Sequence, residues 1–442
     1  MRTILLSALA IVLLTACTAA PVDPGQAAVE TMVAATLAAL PGDHAIPEEE
    51  TPPDSPVPDS PDTVPELVLA YTLDNNLWVT VGDDAPQQLT SDGDVYFVML
   101  SDDATRIVYT RSDDETPQIW LHCYDLTSDS DTLLLDQADL DGLYAPEPDA
   151  RLTLDTRNLQ FLPGSYDILF STRTTYEGPG SRPNDDLYRI NTSTGDRVQL
   201  LGVDEGGRVA VSPDGSMLAL TTSSTINFAT IDGSPMGDVS FTFEPVMTYS
   251  EYAYVPHAIW NPDGSAIYAV IPSEDPFAPD ASARVMRFAL DGSPPDVLQI
   301  IAGSLFIMDA FGLPWVSPET THLAYLQSAG DGGERSLTLA PIDGGATTFV
   351  AEGVLEWSGW SPEGDRYSYR TIGTGATLYI ATLGGGVEEF PDGRSVRWLP
   401  DGAVVMTGYP GDMTLILHRE DGSNQPLATI SSEHMAYYVG WR

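Results

Sequence analysis

The sequence predicts an all-β chain folded as a single eight-bladed β-propeller of four-stranded antiparallel blades. Three observations lead there. Between Leu100 and Trp441 the chain repeats one unit eight times: an apolar residue, a turn built on Pro-Asp/Glu-Gly, then an apolar strand. Each unit runs on into a second hairpin, and the units recur at spacings of 38 to 61 residues, the length of one blade. Composition agrees: 43% apolar residues can fill a sizeable core, and 38 Gly with 35 Pro suit short strands joined by tight turns.

Met1-Arg2 and the apolar run Ile4 to Leu14 read as an export signal, too short to span a bilayer. The run ends in Leu14-Thr15-Ala16-Cys17, which resembles the lipobox of bacterial lipoproteins. That resemblance implies cleavage after residue 16 and a diacylated Cys17, enough for stable anchoring. Thr18, rather than Asp, follows the cysteine, which favours the outer membrane where two membranes exist. Residues 17–65 hold one short helical pattern, Ala27 to Leu40, and then a Pro- and acid-rich stretch from Pro47. Such a composition buries no core, so a disordered, self-repelling tether is expected.

The propeller is expected over 66–442. Its clearest first turns are Ser212-Pro-Asp-Gly, Asn261-Pro-Asp-Gly, Ser361-Pro-Glu-Gly and Leu399-Pro-Asp-Gly. Third strands read Asn76-Leu-Trp-Val-Thr-Val, Gln118-Ile-Trp-Leu-His and Thr377-Leu-Tyr-Ile-Ala. Most third strands run into turns such as Asp232-Gly233 or Asp421-Gly422. The second hairpin occurs eight times and the intact first hairpin seven. The missing one is split: Leu69-Ala-Tyr-Thr is a second strand without its first, and Tyr438-Val-Gly-Trp441 a first strand without its second. Joining them closes the ring and removes the exposed sheet edge. Seven blades with a dangling C-terminal strand is the structural alternative.

The pattern apolar-Ser-Pro-Asp-Gly-x-x-apolar-Ala-apolar, followed by Leu-Tyr-apolar and Asp-Gly, resembles the TolB-like propeller repeat across roughly 66–442, with Val211 to Gly233 a near-consensus copy. The resemblance implies turn-shaping roles for Pro213, Asp214 and Gly215. The family's namesake carries a six-bladed ring behind an α/β domain, where this chain has its Pro-rich tether.

Charge excludes some partners. With 64 acidic residues against 19 basic ones, all Arg, the formal net charge is −45, which opposes nucleic acid and anionic lipid surfaces and favours a basic partner. Of the two cysteines, Cys17 belongs to the leader and Cys123 to a strand, so no internal disulfide is expected. The six His make no metal-binding spacing, no Gly-x-Ser-x-Gly elbow occurs, and Gln137-Ala-Asp-Leu-Asp-Gly has Gln at the first ligand position of a calcium loop. Neither cofactor nor metal is expected, and no catalytic residue can be named.

Strand alternation places first-to-second and third-to-fourth turns on one face of the ring. The long insertions, Leu140 to Thr156, Thr174 to Asp185, Val246 to His257, Pro272 to Ala283 and Gly303 to Pro314, fall on the other. They carry the candidate partner-binding residues Tyr144, Tyr176, Arg182, Tyr249, Tyr252, Tyr254, Phe277 and Phe311. The expected function is a monomeric, non-enzymatic scaffold for a protein or peptide, lipid-anchored outside the cytoplasm in a bacterial cell envelope. A binder of a small ligand or glycan in the central channel, and a propeller-type hydrolase or lyase, stay open as alternatives.

Overall fold

Every turn of the repeat does what its chemistry requires. The computed structural model describes residues 65–113, 118–143, 151–176, 181–249, 252–276, 278–303, 315–328, 333–409, 412–430 and 436–442; Cys17 and the expected leader and tether lie outside them. Eight antiparallel sheets follow one another round a ring.

Numbered from the N-terminus, blade 1 joins Leu67–Leu73, Asn76–Val81 and Gln87–Gln88 to the C-terminal strand Tyr437–Trp441. Leu67 pairs with Trp441 and Tyr71 with Tyr437, so the split first hairpin is rejoined as expected. Thr72 fastens it further, its hydroxyl donating to the Ala436 carbonyl at 3.2 Å. Blade 2 runs from Val95–Leu100 to Ser130–Leu135, blade 3 from Arg151–Phe161 to Arg197–Leu201, and blade 4 from Arg208–Val211 to Pro235–Thr242. Blade 5 runs from Ile259–Trp260 to Asp296–Ala302, blade 7 from Leu355–Trp360 to Val387–Pro391, and blade 8 from Gly393–Leu399 to Asn424–Ile430. In blade 6 the inner strand is marked by the bridge Val316–Leu323, inside the strands His322–Ser328, Arg335–Pro341 and Thr348–Gly353.

Packing closes the circle as well as pairing does. Period-two alternation gives each blade two apolar faces, and apolar clusters join consecutive blades all the way round. Leu77 and Ile107 meet between blades 1 and 2, Val108 and Phe170 between 2 and 3, Leu169 and Leu218 between 3 and 4, and Phe228 and Trp260 between 4 and 5. One cluster links blades 5, 6 and 7 through Val270, Leu326 and Trp357. Leu378 and Val405 join blades 7 and 8, and Leu415 and Leu69 join 8 to 1. The apolar residue that opens the repeat has a polar duty too. The Trp260 indole donates to the Ala210 carbonyl of the preceding inner strand, and Trp360 to that of Trp315, both at 3.0 Å.

Cys123 sits inside blade 2 at 1% exposure, and burial pushes its thiol up to about 11, so it is an inert hydrophobe. The segment resembling half a calcium loop forms the short helix α1, Gln137–Asp141, whose first turn is closed by a capping box between Asp136 and Asp139.

Candidate functional site

Antiparallel order gives the ring two unlike faces. On the turn face several of the repeat's acids accept hydrogen bonds from their own turns. Asp214 accepts from the Ser212 hydroxyl at 2.6 Å and the Ser216 amide at 3.0 Å, and these bonds, the Ser212 hydroxyl first, hold its carboxyl at about 2. Asp103 is likewise held at about 2: burial works against it, but the hydroxyls of Ser101, Tyr166 and Thr105 outweigh that. Gly215 follows at φ 72°, a conformation that glycine takes without strain.

The opposite, loop face is built differently. Here the connections from the fourth strand of one blade to the first of the next deliver the chain into the innermost strands, and register fixes what stands there. In blade 4 Arg208 pairs with Thr221 and in blade 3 Arg157 pairs with Ser171, which are equivalent positions, each four residues past the first residue of the second strand. A register shift between Arg157 and Gln160 inserts one residue, with Asn158 at φ 54°, so sequence alignment alone misses the match. In blade 5 His257-Ala-Ile-Trp-Asn-Pro-Asp-Gly aligns without a gap on Arg208-Val-Ala-Val-Ser-Pro-Asp-Gly, which puts His257 at the same level. Three successive blades thus carry a basic residue at equivalent positions on the loop face.

These groups are poorly compensated. Arg208 donates to the Val255 carbonyl at 3.2 Å, and Arg157 has neither a hydrogen bond nor an ion pair among the described residues. Burial lowers the proton affinity of both; for Arg157 the attraction of Asp185 opposes the repulsion of Arg173, and Arg208 is lowered further by Arg157. His257 is driven down to about 3 by burial and then by Arg208, so its imidazole is neutral at pH 7, and its Nε2 is buried without a partner. Their neighbours are saturated instead. Arg173 pairs with Asp155 at 2.8 Å, and Thr172 gives Asp186 both its amide, at 2.7 Å, and its hydroxyl, at 2.6 Å. Burial nevertheless raises Asp186 to about 6 and raises Asp185, beside Arg157. Blade 7 shows the contrast: Glu356 stands at the equivalent place and is neutralised by Arg370 at 2.5 Å.

The residues singled out in sequence are scattered over this face. Arg182 is exposed on the short strand Ser181–Pro183 and paired with Asp204 at 2.7 Å. Tyr176 is half-buried at the end of its strand, and Tyr249 and Tyr252 oppose each other in a two-stranded hairpin. Tyr254 turns inward: its hydroxyl donates to the Val270 carbonyl at 2.9 Å and burial raises it, because the ring packs beside the cluster of blades 5 to 7. Tyr144, Phe277 and Phe311 lie outside the described residues. Sequence reasoning missed Arg157, Arg208 and the place of His257; the shared offset of Arg208 and His257 from Pro-Asp-Gly was the available signal.

A second polar cluster lines a cavity of about 440 Å³ between blades 7 and 8. Arg366 there reaches Glu420 at 3.4 Å, and His418 reaches Glu388 at 3.4 Å and Asn424 at 3.0 Å. Each acid of this cavity has a basic side chain within reach, Asp365 and Glu420 facing Arg366 and Glu388 facing His418. Among the described residues no three His, Cys, Asp or Glu side chains converge as metal ligands, and no helix is long and apolar enough to cross a membrane.

No family model matches the sequence, and no curated protein does. Solved structures match by shape. A eukaryotic initiation factor aligns over 86% of this chain and 98% of its own, at 12% identity and a TM-score of 0.51. TolB from Acinetobacter baumannii aligns over 84% of this chain and 66% of its own, at 13% identity and a TM-score of 0.36. The propeller domain of the trilobed protease from Pyrococcus furiosus covers 75% and 98%, at 11% identity and a TM-score of 0.45. At such identities likeness speaks for architecture alone. By that likeness and by its own eight closed sheets, the chain is a β-propeller protein.

Proposed function

We propose that this protein is an extracytoplasmic, lipid-anchored propeller that presents its loop face to a protein or peptide partner, as a scaffold and not as an enzyme. The observation that carries the reading is the asymmetry of the two faces. Turn-face acids such as Asp214 and Asp103 are held by hydroxyl and amide donors, whereas the loop face keeps irregular backbone, the exposed Arg182 and under-compensated basic groups. Rigid blades beneath irregular loops are the arrangement on which binding surfaces are built. The leader and its lipobox-like Cys17 supply the envelope address and the anchor.

The test is affinity capture with the full-length chain from an envelope extract, repeated with Arg182→Glu. Excising whole loops would mislead, because Thr174, Asn184 and Val246 at their ends are buried in the blades. Loss of one partner in the variant supports the reading; identical recovery overturns the loop-face assignment. For the anchor, metabolic labelling with a radioactive fatty acid is expected to mark the native chain and not Cys17→Ser. Equal labelling would remove the lipid from the proposal.

A further inference from the structure

Two arginines and a histidine at one level of three adjacent inner strands need an explanation in a chain with so few basic residues. Evenly solvated charge does not account for them, since acids outnumber bases more than threefold and yet Arg157 has no ion pair. A purely structural role accounts for part of Arg208, whose bond to Val255 tethers the connection into blade 5. It leaves Arg157 and the buried Nε2 of His257 unexplained, and a buried polar atom without a partner is costly.

We propose that the mouth of the channel, at Arg157, Arg208 and His257, binds a small ligand through a single carboxylate. Charge count selects the class. Arg173 is neutralised by Asp155 and Arg182 by Asp204, which leaves the two guanidinium groups of Arg157 and Arg208 against the carboxyl of Asp185. Two guanidinium groups, one of them attracted by Asp185, suit a monoanion better than a phosphate dianion or a polyanion, and the net charge of −45 repels the latter at long range. The chemistry fits as well. A planar guanidinium matches a carboxylate two bonds at a time, and a neutral imidazole adds a hydrogen bond without further charge repulsion. The site can be tested whether or not a protein partner binds the loop face, because Arg157 and Arg208 stand on inner strands and His257 two residues before one.

The experiment is calorimetric titration of the full-length chain at low ionic strength with acetate, glycolate and N-acetylglycylglycine, with sodium chloride as the control. The first two probe a free organic acid and the third a peptide C-terminus. Saturable binding of at least one is expected, weakened tenfold or more in Arg157→Gln with Arg208→Gln and unchanged in Arg287→Gln, whose arginine pairs with Asp296 on outer strands of blade 5. Arg157→Lys with Arg208→Lys keeps the charge while removing the planar fork, and is expected to weaken binding if the double Gln variant fails to fold. The proposal is overturned if none of the three acids binds beyond the chloride control, or if both double variants bind as the native chain does. Identical partner recovery by the native chain and Arg182→Glu, with carboxylate binding intact, would remove the scaffold reading alone.

Discussion

The two faces of this ring are made from the same strands, yet they treat charge in opposite ways. On the turn face acids are stabilised as ions: Asp103 and Asp214 sit near 2, held by hydroxyl and amide donors, for Asp214 from its own turn and for Asp103 from its own turn and from Tyr166 of blade 3. On the loop face the buried ions are destabilised, while the exposed Arg182 is stabilised by Asp204. Asp185 and Asp186 are pushed up, and Arg157, Arg208 and His257 are pushed down, with burial the first cause of each. The repeat therefore carries stability where it is regular, and leaves under-compensated polar groups where it is interrupted. Functional sites are commonly sustained by such locally unfavourable groups, at the expense of the surrounding fold.

Breaking the regular part should have the largest effect. Trp360→Ala removes an indole packed on Trp357 and Tyr367 and bonded to Trp315. A loss of about 3–5 kcal/mol is expected in urea unfolding. A loss below about 1 kcal/mol would show that the inner-strand Trp is not a keystone between blades.

The next test uses the opposite charge logic of the faces. Asp186 is raised in the fold, so its ionisation opposes folding. That cost is absent below its unfolded value near 3.8, grows as pH rises, and is complete above about 6, where it amounts to about 3 kcal/mol. Turn-face acids behave in reverse: their contribution is present above about pH 4 and lost as pH falls towards 2. Stability is thus expected to fall on both sides of a maximum near pH 4–5, with the alkaline limb shallower in Asp186→Asn. Equal limbs in the two proteins would refute the assignment to Asp186.

Asp103→Ala addresses the turn face directly. It removes the acceptor shared by Ser101, Thr105 and Tyr166 and is expected to cost about 1 kcal/mol, since the site is open to solvent. Carboxylate binding should be untouched, and a change in it would blur the division between the faces.

How much of this was legible in sequence follows the same division. Turn chemistry is local, so Pro-Asp-Gly and Asp-Gly pairs announced the hairpins, and the unequal tallies of the two hairpins announced the closure that Leu67 and Trp441 complete. The channel mouth is not local. Arg157 is displaced from its equivalents by the inserted residue near Asn158, and nothing in a linear sequence distinguishes an inner-strand arginine from a surface one. Tyr254 is the converse case. A tyrosine in an aromatic-rich loop reads as exposed, but its hydroxyl had a strand carbonyl, that of Val270, within reach.

The smallest expected effect separates function from fold most cleanly. Arg182 and Asp204 form an exposed pair, with side chains 56% and 65% accessible. Such a pair contributes about 0.5 kcal/mol or less, because water and salt screen it and two mobile side chains must be ordered to form it. Arg182→Ala should therefore leave thermal unfolding within error of the native chain. If partner capture falls while stability does not, the residue is there for recognition. If stability falls instead, Arg182 braces the strand Ser181–Pro183 against the blade, and the loop face is more structural than the contrast of the two faces implies.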